Sequence, residues 1–541
     1  MNPTVFASFA EAAHEAPERE FLVVPPSASK GYAPAGVTLS YRLMLERADA
    51  LRRRYAAAGY GHGHRVAILL ENRPSFIEHW LALNALGVSV VPVNPFYRSE
   101  ELIYLLGHSD AVLAVAIESR AADLVAAAKA TGRTIPVIAD AAADIPTAVS
   151  PAPRADPPGP ETECGLLYTS GTTGKPKGCI LTNEYYWMMG DWYVNQDGLC
   201  PVVRGAERML TPLPMFHMNA MACSFMAMVL SRGTLILLDR FHPSTWWSDV
   251  AATGATIIHY LGVMPAILLS LEKTPEERAH RVKFGFGANA DPAQQVAFEQ
   301  RFGFPLIEGW AMTETGAGAT IAANREPRHP GMRCIGKPTN CEVRLVDDAG
   351  RDVPVGEPGQ LLVRHVGDDP RKGFFSGYYK DQEATDAAWA GGWFHTGDVA
   401  RRDADGTMYF VDRSKNVIRR AGENIAALEV ETVLLKQGEA AQVAVIAVPD
   451  ELRDEEVMAC VVPAAGVARD EATARRMVAW CLDHMAYYKA PGYVLFLDAL
   501  PTTATNKVRK TSIQEMGGDP RARPGCFDLR SMKRPPKSAS A

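Results

Sequence analysis

Residues 168–178 read Tyr-Thr-Ser-Gly-Thr-Thr-Gly-Lys-Pro-Lys-Gly and pack an unusual set of donors into eleven positions. Glycines let successive backbone N–H groups turn inward on an anion, while Thr169, Ser170, Thr172, Thr173, Lys175 and Lys177 add hydroxyl and ammonium donors. Apolar Leu166-Leu167 precedes the stretch and Cys179-Ile180-Leu181 follows it, so the pattern predicts strand, loop, strand. The chemistry this suits is the binding of a polyphosphate. It is not a Walker A loop, which needs four residues between its first Gly and a Gly-Lys followed by Ser or Thr. Here two residues separate Gly171 from Gly174, and Pro176 follows Lys175.

Four further segments carry chemistry-bearing residues. Gly309-Trp-Ala-Met-Thr-Glu314 sets a flat aromatic four residues before an acid, and Gly392-Trp-Phe-His-Thr-Gly-Asp398 ends in an acid after a Gly turn. Asp412-Arg-Ser-Lys-Asn-Val-Ile-Arg-Arg-Ala-Gly-Glu-Asn-Ile425 couples a basic run to a Gly turn, and Pro501-Thr-Thr-Ala-Thr-Asn-Lys507 places a lysine late in the chain. Each alone is weak, because a Thr-Glu pair or a lone lysine is usually solvated.

Taken together, in this order, the segments resemble the adenylate-forming superfamily of acyl-CoA synthetases, luciferases and peptide-synthetase adenylation domains. The resemblance spans roughly residues 35–515. It implies that Thr169, Ser170, Gly171, Thr172, Thr173, Gly174 and Lys177 hold the β- and γ-phosphates of ATP. Trp310 would stack on adenine, and Gly309 with Gly287, Ala288 and Asn289 would complete the nucleotide site. Thr313 would contact the α-phosphate, Glu314 would ligate Mg²⁺, and Asp398 and Arg413 would bond the ribose. Lys507 matches the catalytic lysine of the first half-reaction, and Lys415 the pivot between two domain positions. Ala421, Gly422 and Glu423 lie on the loop that lines the thiol path.

Three departures from the pattern stand out. Asn506 replaces the usual Gly before the lysine, Trp310 replaces Tyr, and Ala421-Gly422 replaces Gly-Gly. None removes a charge or a donor.

The implied reaction is ATP-dependent ligation of a carboxylic acid to coenzyme A through an acyl-adenylate. The substrates are then a small carboxylic acid, ATP and CoA, with Mg²⁺ as cofactor. The acyl pocket falls to Phe216, His217 and Met218, to Tyr260, Gly262, Val263 and Met264, and to Ala311 and Met312, with His217 as a gate or alternatively a bonded core histidine. Across the C-terminal half, including Leu452-Arg-Asp-Glu-Glu-Val457, the chain is most similar to bacterial crotonobetaine/carnitine–CoA ligases. A carnitine-like, medium-chain or small aromatic acid stays open as substrate. A trimethylammonium group would want the aromatics and acids of Glu184–Tyr193, although those aromatics equally suit packing of a helix. No carrier domain follows Lys507 before Ala541, so the expectation is a free-standing CoA ligase. An enzyme loading a separate carrier protein, and an ATP- or AMP-binding protein without turnover, are the alternatives.

Elements must position these residues. Tyr41–Ala58 and Ser75–Leu86 have helical periodicity, and short apolar runs at Val66–Leu70, Val88–Val93, Ala111–Ile117, Arg208–Leu213, Thr234–Leu238 and Thr256–Tyr260 read as buried strands. That alternation predicts parallel sheet. The fold class expected is α/β. A large domain over residues 1–412 includes a β-rich part at 341–411; a small mobile α+β domain spans 413–517, and a loose tail 518–541. Prolines crowd residues 144–160, as in an exposed connector.

Composition narrows the rest. A net charge of −6 over 541 residues gives no bulk attraction to nucleic acid, so local donors must hold any phosphate. The nine cysteines are scattered without a C-x-x-C pair, as in reduced packing cysteines. His62-Gly-His64 reads as a polar turn rather than a metal pair. No apolar run reaches transmembrane length and the N-terminus lacks a signal pattern, so the expected location is the cytoplasm, with a homodimer open.

Overall fold

The apolar runs of the first 290 residues become the parallel strands of two sheets. In the computed structural model, the residues described are 3–29, 31–169, 175–261, 263–290, 292–413, 417–501, 510, 513 and 518–534. Contacts divide the chain into two compact units. The first comprises residues 1–95, 106–167 and 178–414, the second residues 96–105, 168–177 and 415–541.

In the first sheet, Leu306–Trp310, Phe284–Ala288, Ile257–Leu261, Arg208–Thr211, Thr234–Leu237 and Glu20–Val24 lie side by side in parallel. Antiparallel strands Ile321–Ala322 and Val37–Ser40 close its two edges. In the second, Glu163–Thr169, Ser89–Pro92, Arg65–Leu69, Leu113–Ala116 and Val137–Ala139 run parallel, with Lys177–Thr182 and Gly377–Tyr378 beyond Glu163–Thr169. Strands covered on both faces need continuous apolar runs, and Val66–Leu69, Val90–Val91 and Leu113–Ala116 are fully buried.

The helices follow their sequence signals. Ser40 caps Tyr41–Ala57 by accepting the Leu43 N–H at 3.2 Å, and Tyr41, Met44, Ala48, Leu51 and Tyr55 form its buried stripe. Pro74 opens the helix Pro74–Asn84 at a position that needs no N–H partner.

A third, antiparallel sheet orders Cys334–Gly336, Met408–Arg413, Phe394–Arg402, Gly359–His365 and Cys341–Val346. It begins seven residues earlier than the β-rich stretch read from the sequence, because Cys334–Gly336 adds an edge strand.

The second unit is built on Ala440–Asp450 and Asp454–Pro463, a long antiparallel pair. The helix Glu471–His484 then returns the chain to Tyr493–Phe496, parallel to Asp454–Pro463. Val417–Arg420 and Glu423–Ala426 form a hairpin on one side. Over residues 518–534 the expectation of a loose tail is corrected; residues 535–541 of that tail lie outside the described residues. Cys526–Asp528 pairs antiparallel with Tyr493–Phe496, and Leu529 is fully buried. Pro and basic residues hid this, because the segment is ordered by pairing with a distant strand rather than by its own propensity.

His62 and His64 are both buried and serve the proline-rich connector. His62 Nδ1 lies 2.8 Å from the Asp156 carbonyl and His64 Nε2 3.1 Å from that of Pro151. All nine cysteines are free thiols, eight of them buried. Among the described residues no helix is long and apolar enough to cross a membrane.

Candidate active site

Adjacent strands of the first sheet end together, and the side chains there share one register. Tyr260 pairs with Gly287, and Gly287 pairs with Glu308, so their carboxyl ends bring Tyr260, Gly287-Ala288-Asn289 and Gly309-Trp310 side by side. This is where open parallel sheets hold ligands. Gly287 is required, since a Cβ there would sit 2.2 Å from the Tyr260 carbonyl oxygen.

Trp310 is only 6% exposed, and its Nε1–H donates to Asp398 Oδ2 at 2.9 Å. Asp398 lies on the strand Phe394–Arg402 of the third sheet, with Arg413 as its cross-strand partner. The residue assigned to adenine and the acid assigned to ribose, 88 positions apart, are therefore directly bonded. A tyrosine at 310 has no N–H at this position; the indole does, which gives the Trp a role beyond its flat face.

Glu314 is held by the segment Phe375–Tyr378. The Tyr378 hydroxyl donates to its Oε1 at 2.9 Å, and its backbone carbonyl accepts the Phe375 N–H. Burial and the Glu314 charge push the Tyr378 phenol far above its ordinary pKa, so it stays a donor. Tyr378 pairs with Cys179 on the strand that follows the glycine-rich loop. Thr313 is fixed through its backbone, whose carbonyl accepts from Tyr185 at 2.8 Å. The aromatics of the helix Asn183–Val194 thus mainly pack: Tyr185, Tyr186, Met189 and Tyr193 are buried.

The loop after Phe284–Ala288 turns at Asn289, in the left-handed region at φ 64°. Asn tolerates that conformation. Glu308, an acid inside an apolar strand, anchors the loop by accepting the N–H groups of Asn289 (2.8 Å) and Ala290 (3.1 Å) and the Tyr260 hydroxyl (2.5 Å). Burial raises its carboxyl pKa. Glu308 and Tyr378 were not among the residues singled out in the sequence. The acid within Leu306-Ile307-Glu308-Gly309 was a readable signal, since a buried carboxyl needs partners; Tyr378 had none.

Of the residues assigned to the acyl pocket, Phe216 and His217 pack ring against ring at 4.5 Å, while Tyr260 and Met264 are buried and Ala311 is exposed. Behind them His259 is fully buried, with Nε2 2.8 Å from the Tyr193 hydroxyl and Nδ1 2.8 Å from Ser224 Oγ. Burial drives its pKa down to about 3. The unfolded chain, titrating near 6.5, takes up a proton that the folded one refuses. Stability is fully present above about pH 6.5 and falls by about 1.4 kcal/mol per unit as pH drops toward 3. His259→Gln should flatten this decline; denaturation midpoints between pH 7 and 4 that track wild type would refute it.

In the second unit, Ala421 (φ 50°) and Gly422 (φ 88°) form the turn between Val417–Arg420 and Glu423–Ala426. Two left-handed central residues suit Asn or Gly, and Ala421 costs roughly 1 kcal/mol there. Ser170, Gly171, Thr172, Thr173, Gly174, Gly262, Lys415 and Lys507 lie outside the described residues, as do the side chains of Arg413 and Val263. Thr169 ends one strand and Lys177 begins the next.

The profile of the AMP-binding enzyme family matches residues 9–379, and that of the AMP-binding enzyme C-terminal domain matches residues 429–507. A sulfoacetate–CoA ligase of Cupriavidus necator is 33% identical over 525 residues, 94% of this chain and 97% of that protein. A crotonobetaine/carnitine–CoA ligase of Citrobacter koseri is 30% identical over 494 residues, 88% of this chain and 93% of that protein. Among solved structures, a malonyl-CoA ligase in a ternary product complex with methylmalonyl-CoA and AMP aligns with a TM-score of 0.75 at 25% identity, over 92% of this chain and 100% of that one. The chain therefore belongs to the AMP-binding enzyme family, as an adenylate-forming acid–CoA ligase.

Proposed function

We propose that this ligase activates a short carboxylic acid bearing a second polar or charged group, and that the residues named above divide the work between two steps. In the first, a carboxylate oxygen attacks the α-phosphorus of ATP; the bond to the β-phosphate bridging oxygen breaks and pyrophosphate leaves. In the second, the CoA sulfur attacks the acyl carbon after losing its proton, and AMP leaves from the mixed anhydride. The observation that carries this reading is the Trp310–Asp398 bond, which makes one buried wall of a base-stacking face and a ribose acceptor.

Trp310 and the loop Gly287-Ala288-Asn289 hold the base, while Asp398 with Arg413 holds the sugar. Thr169 to Lys177 take the β- and γ-phosphates. Thr313 contacts the α-phosphate, and Lys507 bridges it to the substrate carboxylate as charge builds. Glu314 fits Mg²⁺: a single carboxylate suits a hard cation that keeps its waters and completes its shell with substrate phosphates. When bound, Mg²⁺ neutralises phosphate charge and polarises the transferring group. Lys415 is the pivot, and Ala421, Gly422 and Glu423 line the thiol path after it turns.

The substrate class is supported by the relatives, one named for sulfoacetate and one for crotonobetaine and carnitine. A sulfonate and a trimethylammonium both put charge at the far end of a short acid. His217, its ring tilted against that of Phe216, is the polar member of the acyl wall, to which Met218, Met264 and Met312 add apolar surface. The nine free thiols suit a reducing cytoplasm.

The test is pyrophosphate release with ATP, Mg²⁺, CoA and a panel of sulfonated, betaine, dicarboxylic, medium-chain and aromatic acids, with products confirmed by mass. Acyl-CoA and AMP from the charged short acids are expected. A preference for medium-chain or aromatic acids would overturn the substrate class. Pyrophosphate without acyl-CoA would name a carrier protein as acceptor, and none from any acid would favour nucleotide binding alone.

A further inference from the structure

The tail that pairs with Tyr493–Phe496 ends in an unusual burial. Lys533 has no exposed side-chain surface, and its ammonium meets Glu456 Oε1; Glu456 is equally buried. The other oxygen of that carboxylate, Oε2, accepts Arg420 Nε at 2.7 Å, and Oε1 also accepts the Val457 N–H at 2.8 Å. One buried carboxylate thus joins two cations from distant parts of the chain. Space for it is made by Gly492, where a Cβ would lie 2.6 Å from the Glu456 Cγ and Cδ.

Arg420 is the last residue of its strand, paired with Glu423 across the Ala421-Gly422 turn. That turn holds an alanine in a left-handed conformation, so its shape depends on what grips its base. Arg420 grips it from one arm; the Ala421 N–H donates to the Arg453 carbonyl at 2.9 Å. The tail in turn is stitched down before Lys533. Leu529 N–H donates to the Gly492 carbonyl at 2.8 Å, and Arg530 reaches Asp450 at 3.1 Å. All of these tail residues lie beyond the stretch matched by the C-terminal family profile, which ends at 507.

We propose that residues 518–534 form a C-terminal clasp whose Lys533, acting through Glu456 and Arg420, positions the Ala421-Gly422 turn for thioester formation. This rests on the reading that the turn lines the thiol path. Lys533, Glu456 and Arg420 are positioning residues, and none of them touches substrate. Burial and the charge of Arg420 push the Lys533 pKa down to about 7. Replacing Lys533 alone takes one of two cations from Glu456, whose carboxylate keeps its bonds to Arg420 and to the Val457 N–H, so the loss of stability should stay below that of a buried charge left with no partner.

The test uses full-length Lys533→Met and Glu456→Gln, with the two half-reactions measured separately. Lys533→Met is expected to lower kcat/KM for CoA, from supplied acyl-adenylate, by about 10- to 100-fold, the scale of a small misplacement near reacting groups. Pyrophosphate release in the first step should stay within about twofold, with KM for ATP unchanged, and amides of 417–426 should exchange hydrogen faster. Glu456→Gln, which breaks the link at its centre, should show the same split at no smaller size. Arg420→Met combined with Lys533→Met should lose no more than Arg420→Met alone, as residues acting in series do. Equal loss of both half-reactions would reduce the clasp to general stability and overturn the proposal. Unchanged thioester formation would overturn it as well. Gly422→Leu then locates the fault: if it abolishes thioester formation the clasp is wrong, and if it too has no effect the reading of the turn is wrong.

Discussion

Lys507→Ala is expected to cut acyl-adenylate formation by at least about 10²–10³, the usual loss when a fixed donor facing a charged transition state is removed. Thioester formation from supplied acyl-adenylate should stay within about twofold. The asymmetry follows from where charge appears. In the first step a carboxylate approaches a phosphate, and the pentavalent phosphorus gathers negative charge that only a positioned cation can offset. In the second step the anhydride is already made and AMP departs as a stable anion. The check is to run both half-reactions on one preparation. Equal loss in both would sink the assignment, as would adenylate formation retained above a tenth of wild type.

Glu314→Gln is expected to lower pyrophosphate release by about 10²–10³, with excess Mg²⁺ restoring part of it. Gln keeps the size of the side chain and still accepts the Tyr378 hydroxyl that now sits 2.9 Å from Oε1. The local fold should therefore survive, and the missing charge be the main change. A Tyr378→Phe control removes the hydroxyl and leaves the carboxylate; its smaller effect would separate orientation from charge. Activity unaffected in Glu314→Gln at limiting Mg²⁺ would remove this residue from the metal site.

Much of the architecture was legible because its signals are local. Val66–Leu70 and Val88–Val93 read as buried strands and are, the first shifted by one residue to Arg65–Leu69 and the second trimmed to Ser89–Pro92. Tyr41–Ala58 read as a helix and ends at Ala57. The tail misled because its order comes from pairing with Tyr493–Phe496, a partner more than thirty residues away. The second unit read as a small α+β domain, but the strand Cys526–Asp528 that its last residues add was not readable.

The site divides along the same line. Residue types and their order in the chain determined that nucleotide chemistry is done here, because a glycine- and hydroxyl-rich loop, a Trp four residues before an acid, and a late lysine are properties of short segments. Only the tertiary structure decided who holds whom. Trp310 bonds Asp398 across 88 positions, Tyr378 steadies Glu314, Glu308 ties the Asn289 loop to Tyr260, and Lys533 reaches Arg420 through Glu456. Each buried polar group must find a partner or bear the cost of desolvation, and that partner is chosen by the packing of sheets whose strands are far apart in sequence.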